Sequence, residues 1–149
     1  MKYWSLAVLV LFIGGLIVPV AGAEPGRYSY ITVESVTVDL VNDRATIDMT
    51  YEIDEGVQLL VVLLGKSDLK TKLTSILNFD NPQFRVIELD HAVVVVDDMV
   101  FNYGDGSYWF PEHEFRAVIP ELTIRTPQSV RYHTFTEIFP NGIGYFETA

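Results

Sequence analysis

The stretch ATIDMTYEID at residues 45–54 sets the architectural class of this chain. Ala45, Ile47, Met49, Tyr51 and Ile53 alternate with Thr46, Asp48, Thr50, Glu52 and Asp54. A period of two with one apolar and one polar face belongs to a half-buried β-strand. Upstream, residues 28–40 are rich in β-branched and aromatic side chains, but their apolar parity shifts between Val33 and Val36. An inserted bulge residue at Glu34 or Ser35 produces such a shift. Asn42 and Asp43, which tolerate turn conformations, close the two segments into an antiparallel hairpin.

Downstream, residues 57–64 form a continuous apolar run. Periodicity cannot divide such a run between strand and helix; its short length, adjacent valines and terminal Gly65 predict a buried central strand. Ser67 then offers an N-cap, Asp68 suits the positive end of a helix, and Leu69, Leu73, Ile76 and Leu77 share one face at helical spacing. A helix is expected there, ending near Asn78 before Asn81 and Pro82.

Residues 84–98 carry another long β pattern, with Asp97 and Asp98 at a bend or edge. Residues 101–110 fold back around a four-residue loop, Gly104 to Ser107, which would set Tyr103 opposite Tyr108 and Phe101 opposite Phe110. Residues 115–119, 122–126 and 129–138 read as three further strands, separated by Pro120 and Pro127 and closed by Pro140. Eight or nine strands with a single inserted helix predict a mainly β chain. The expected form is an antiparallel β-sandwich of the immunoglobulin-like class, with one short α-helix near residues 67–78; a barrel is the alternative.

Residues 1–23 combine a basic start at Lys2, an apolar run over residues 6–18, Pro19, and the small-residue exit Ala21, Gly22, Ala23. This is the pattern of a signal peptide cleaved before Glu24; retention as an N-terminal membrane anchor is the competing expectation. Both put residues 24–149, read as a single β-sandwich domain, in an extracytoplasmic location, and membrane contact is expected only through residues 1–23 if they are retained. The chain has no cysteine, which excludes disulfides, thiol redox chemistry and lipid attachment through cysteine. Its 149 residues carry a net charge of −10 with sparse, scattered basic residues, against a nucleic-acid partner. No N-x-S/T sequon follows any asparagine.

Candidate chemistry is thin. His113 and Glu114 open a zincin-like H-E-x-x-H, but the fifth position is Ala117. A zinc site could instead gather His91, His113 and His133. Asp97, Asp98 and Asp105, with Glu112 and Glu114 nearby, make a candidate calcium cluster without the D-x-D-x-D-G pattern. The candidate metal ligands are therefore Asp97, Asp98, Asp105 and His113. Ser107 lies in D-G-S-Y-W rather than G-x-S-x-G, and the fragment Gly65, Lys66, Ser67 lacks the upstream part of a P-loop. Tyr103, Asp105, Tyr108 and Trp109 form a candidate binding surface, since aromatic faces beside carboxylates can hold sugar rings or peptides. The expected function is a non-enzymatic, extracytoplasmic module that needs no cofactor and binds a protein or glycan partner at the cell envelope. The alternative is a calcium- or zinc-dependent protein or hydrolase using the acidic and histidine residues around 91–114.

Overall fold

The computed structural model describes residues 24–148; the signal-peptide and anchor expectations for residues 1–23 lie outside that range. Among the described residues the fold is mainly β, 54% strand and 17% helix, with two sheets and two helices. The larger sheet begins with β1 (Arg27–Tyr28), β2 (Ile31–Val41) and β3 (Arg44–Ile53), followed by helices α1 (Glu55–Leu64) and α2 (Ser67–Leu77). Next come β4 (Gln83–Ile87), β5 (His91–Val96), β6 (Phe101–Asn102), β7 (Ser107–Phe110), β8 (His113–Arg125), β9 (Val130–Phe139) and β10 (Ile143–Phe146). The larger sheet runs β4-β5-β3-β2-β8-β9 with β1 beside β2, and the smaller runs β10-β7-β6. Among the described residues neither sheet closes on itself into a barrel.

The first hairpin follows the sequence pattern. Val41 pairs with Arg44 around Asn42 and Asp43, Asn42 taking φ +53°, and the register shifts between Val33 and Ser35, which makes Glu34 the bulge residue. All five apolar residues of the ATIDMTYEID stretch are buried.

Several expectations are corrected. Residues 57–64 belong to helix α1, not to a central strand, so the described residues hold two helices rather than one. The amides of Val57 and Gln58 bond back to the Asp54 carbonyl, Glu55 places a charge in the first turn, and the Gly65 amide closes the end on the Val61 carbonyl. A run without polar punctuation leaves both conformations open, and here the local bonds favour the helix. Helix α2 buries Leu69, Leu73, Ile76 and Leu77 as expected, but Ser67 is its first helical residue rather than its cap. Asn78 ends it in the left-handed region at φ +56°.

The larger sheet is mixed rather than wholly antiparallel, because β2 and β8 pair in parallel from Ser35 with Glu121 to Asp39 with Arg125. Residues 84–98 are two strands: β4 and β5 pair with each other around Glu88, Leu89 and Asp90. The strands expected over residues 115–119 and 122–126 are one, β8, which runs through Pro120. Pro120 lacks an amide donor where the ladder is interrupted: pairing with β2 begins at Glu121, and Phe135, opposite on β9, sits at φ +49°. Strand β10 lies in a stretch the sequence pattern did not assign.

One continuous core joins the layers. Val36, Val38 and Ile47 of the larger sheet, Leu69 and Leu73 of α2, and Phe110 and Tyr145 of the smaller sheet all belong to it. Helix α2 is fixed to β8 at its C-terminal end, where Asn78 Nδ2 donates to the Glu114 carbonyl at 2.8 Å and Arg116 Nε donates to Asn78 Oδ1 at 3.1 Å.

Candidate functional site

The β6–β7 hairpin differs by one residue from its expected register, and that slip re-sorts the candidate residues. The loop is Gly104, Asp105 and Gly106, with both glycines at positive φ, so Phe101 pairs with Trp109 and Asn102 with Tyr108. A shift of one residue exchanges the faces of a strand. Tyr103 therefore does not share a face with Tyr108. Tyr108 points inward, 8% exposed, and stacks on Tyr145 with centroids 5.5 Å apart. It is part of the core.

Trp109 takes the outer face. Strand β10 runs beside it with Gly144 directly opposite, and an added β-carbon there would lie 3.5 Å from Trp109 Cε3. The indole thus lies over a strand that offers no side chain at that position. Phe101 flanks Trp109 on the other side, and Tyr103 and Phe146 continue the same outer face; these three are 59%, 66% and 64% exposed. Phe101 and Phe146 were missed in the sequence, the first through the register and the second because β10 went unread.

Two carboxylates stand at the hairpin tip. Asp105 accepts from the Ser107 amide at 3.0 Å and from the Ser107 hydroxyl, and these bonds hold its carboxyl below the ordinary carboxylate range. Glu147 donates its amide to the Gly106 carbonyl at 2.9 Å, and its side chain lies over Gly106. The face combines aromatic surface with hydrogen-bond acceptors at one end.

The metal candidates are dispersed. Asp97 accepts from Arg44 Nε at 3.0 Å and Gln83 Nε2 at 3.3 Å, while Asp98 is exposed. Among the described residues no group of three His, Asp or Glu side chains could hold a metal ion. The three histidines sit on β5, β8 and β9, with β3 and β2 between the first two strands. His91 Nε2 is 3.7 Å from an Asp48 oxygen, and the buried His133 Nε2 has no hydrogen-bond partner. The His113-Glu114 pair lies in strand β8 rather than on the helix its motif would need.

His113 is a core residue. It stacks on Phe79 at 3.8 Å, meets Phe115 edge-on at 4.8 Å, and donates from Nε2 to the Leu77 carbonyl at 2.7 Å. That bond satisfies one of the carbonyls left open at the end of α2. Burial pushes the imidazole pKa down, partly offset by the Leu77 carbonyl and by Glu114. The unfolded histidine gains a proton below about pH 6.5, whereas the folded one stays neutral to a lower pH. In that window the unfolded state holds more protons, so stability falls as pH drops, by at most about 1.4 kcal/mol per pH unit. His113→Gln keeps a donor and removes the titration. Urea midpoints measured from pH 7.5 to 5 are expected to fall more steeply for the natural chain than for this variant; equal slopes would contradict the assignment.

An open cleft of about 680 Å³ lies elsewhere, lined by Tyr51, Glu52, Lys66, Glu88 and Asp90 among others. Tyr51 is committed to structure there, donating to the backbone carbonyls of Glu88 and His91 across the β4–β5 turn. No protein-family model, curated protein or solved structure matches the chain.

Proposed function

We propose that this chain is an extracytoplasmic, non-enzymatic β-sandwich module that binds a glycan or protein of the cell envelope on the outer face of its three-stranded sheet. The observation that carries this reading is the outward row of Phe101, Tyr103, Trp109 and Phe146, three of them more than half exposed. Contiguous exposed aromatic surface is costly to leave in water and marks interaction sites. Flat indole and phenyl faces suit sugar rings, and Asp105 and Glu147 can accept bonds from hydroxyls at the rim. A net charge of −10 favours neutral or basic partners over anionic ones. The extracytoplasmic part of the proposal rests on the sequence of residues 1–23.

The immunoglobulin-like class belongs to the same proposal. Two sheets over a shared core support it, and the parallel β2–β8 pair is its departure from the all-antiparallel form. The edge strand β9 supplies a second surface for a protein partner, with Tyr132 75% and Phe135 67% exposed and one side of the strand unpaired.

Trp4 and Trp109 are the only tryptophans, so Trp4→Phe leaves emission to Trp109 alone. Titration of that variant with envelope polysaccharide and with solubilised envelope protein is expected to give a saturable emission change with one of them. Adding Phe101→Ala should then weaken binding by about 30-fold, the loss typical of an aromatic anchor. Binding that survives the loss of both Phe101 and Tyr103 unchanged would remove the proposal.

A further inference from the structure

We propose that helix α1 lies in the surface of a lipid bilayer, as a contact separate from the aromatic face of the smaller sheet. Leu59, Leu60, Val62, Leu63 and Leu64 are between 52% and 81% exposed, and Val61 is the helix's only buried residue. At about 100° per residue these five side chains sweep roughly 200° of the helix circumference, leaving only the strip around Val61 against the protein. Residues 56–64 contain no ionisable group, and Gln58, their only polar side chain, is turned back to donate to the Ile53 carbonyl at 2.9 Å. The outward arc therefore offers no side-chain hydrogen bond. A protein partner ordinarily meets a narrower apolar stripe with a polar rim, whereas hydrocarbon asks for no hydrogen bonds at all. At ten residues α1 is too short to cross a membrane, and no helix among the described residues is long and apolar enough to do so. A short helix exposed in this way fits within the interface.

Two further observations favour lipid over other occupants. The only lysines among the described residues, Lys66, Lys70 and Lys72, follow α1 immediately in a chain of net charge −10. Lys66 is turned to the Ile87 carbonyl and Lys70 to the Phe84 ring, but Lys72 Nζ lies 5.5 Å over Tyr30, which lines one small pocket with Leu60, Val61 and Leu64, so a positive charge on a long aliphatic stem stands beside the exposed helix. In addition, the chain that carries the apolar run of residues 6–18 enters the described fold at Glu24, and Arg27 forms a two-bond pair with Asp54, at 2.7 and 2.6 Å. Asp54 is the residue from which α1 starts. The start of the described chain and the start of the exposed helix therefore share one corner of the fold.

The absence of cysteine permits a single-site label. The full chain carrying Leu63→Cys with a nitroxide, and separately Tyr132→Cys on β9, would be compared with and without phosphatidylcholine vesicles. Both positions are exposed, at 69% and 75%, so neither label displaces the core. With vesicles, the label at position 63 is expected to gain oxygen accessibility, lose accessibility to a water-soluble nickel chelate, and report a depth of roughly 5–10 Å. The label at position 132 should stay aqueous. Equal aqueous accessibility at both sites in the presence of vesicles would overturn the proposal. So would shielding of position 63 without lipid: growth with protein concentration would identify a second copy as the occupant, and concentration-independent shielding would identify the chain's own residues 6–18. Binding of glycan or protein at Trp109 is read by a different probe, so failure of one proposal leaves the other intact.

Discussion

Replacing Phe110 with alanine is expected to lower the unfolding free energy by about 3–5 kcal/mol. Phe110 is 1% exposed and lies where three elements meet: its ring centroid is 6.4 Å from Phe79 after α2 and 5.8 Å from Phe139 on β9. Strand β7, which carries it, is the central strand of the smaller sheet. Truncation removes apolar area and leaves a cavity that flanking aromatic rings cannot readily fill. Against a typical total of about 5–15 kcal/mol, that loss is a large fraction of what holds the two sheets together. Phe146→Ala, on the exposed outer face of neighbouring β10, is expected to change stability by less than about 0.5 kcal/mol. Urea unfolding of both variants, with an unchanged m-value, checks the contrast. A loss at Phe110 no larger than at Phe146 would mean that the smaller sheet is not packed on the shared core.

Gly142→Ala is the second substitution with a large expected cost, and its cause is different. Gly142 has φ +62°, where a β-carbon costs roughly 1–2 kcal/mol. The added atom would also lie 2.6 Å from the Phe110 carbonyl oxygen and 2.6 Å from Trp109 Cζ2, so backbone or indole must move. With overpacking of that kind worth about 1–3 kcal/mol, the total is about 2–5 kcal/mol. Gly144→Ala, two residues on, makes only ordinary contact at 3.5 Å and has no positive φ, so it is expected to be neutral or slightly stabilising. The measurement is the urea midpoint together with the emission of Trp109 in a Trp4→Phe background. Gly142→Ala should shift both and Gly144→Ala neither; an unshifted emission at Gly142 would show that the indole does not rest on this strand.

What the sequence shows and hides here follows the range of the interactions involved. The β2–β3 hairpin, its bulge at Glu34 and the buried face of α2 are written in neighbouring residues, through alternation, parity and helical spacing. The parallel β2–β8 pair depends on segments far apart in the chain, and nothing in either strand names its partner. Helix α1 is hidden for a different reason: a uniformly apolar run implies burial, whereas here most of the run is exposed. In the candidate site the hairpin is legible in the sequence, but its loop is one residue shorter than the turn residues suggest. That single residue moved Tyr108 into the core and brought Phe101 beside Trp109. Hairpin faces are only as reliable as the turn that sets them. His113 shows the same limit, since only the packed structure reveals that its ring is occupied by Phe79 and the end of α2.

The parallel pair also has a consequence in time. Ser35 meets Glu121, a separation of 86 residues, so beyond the short stretch that β1 covers, one edge of β2 has no partner until most of the chain has been made. A ribosome releases the β2–β3 hairpin early, and that hairpin must then wait, with an open row of amides and carbonyls, for β8 to arrive. Closing so long a loop is slow compared with closing a turn. The edge of β2 is therefore open to mispairing during synthesis and closed in the finished molecule, and a helper that covers β2 during that interval would raise the yield without touching the folded protein.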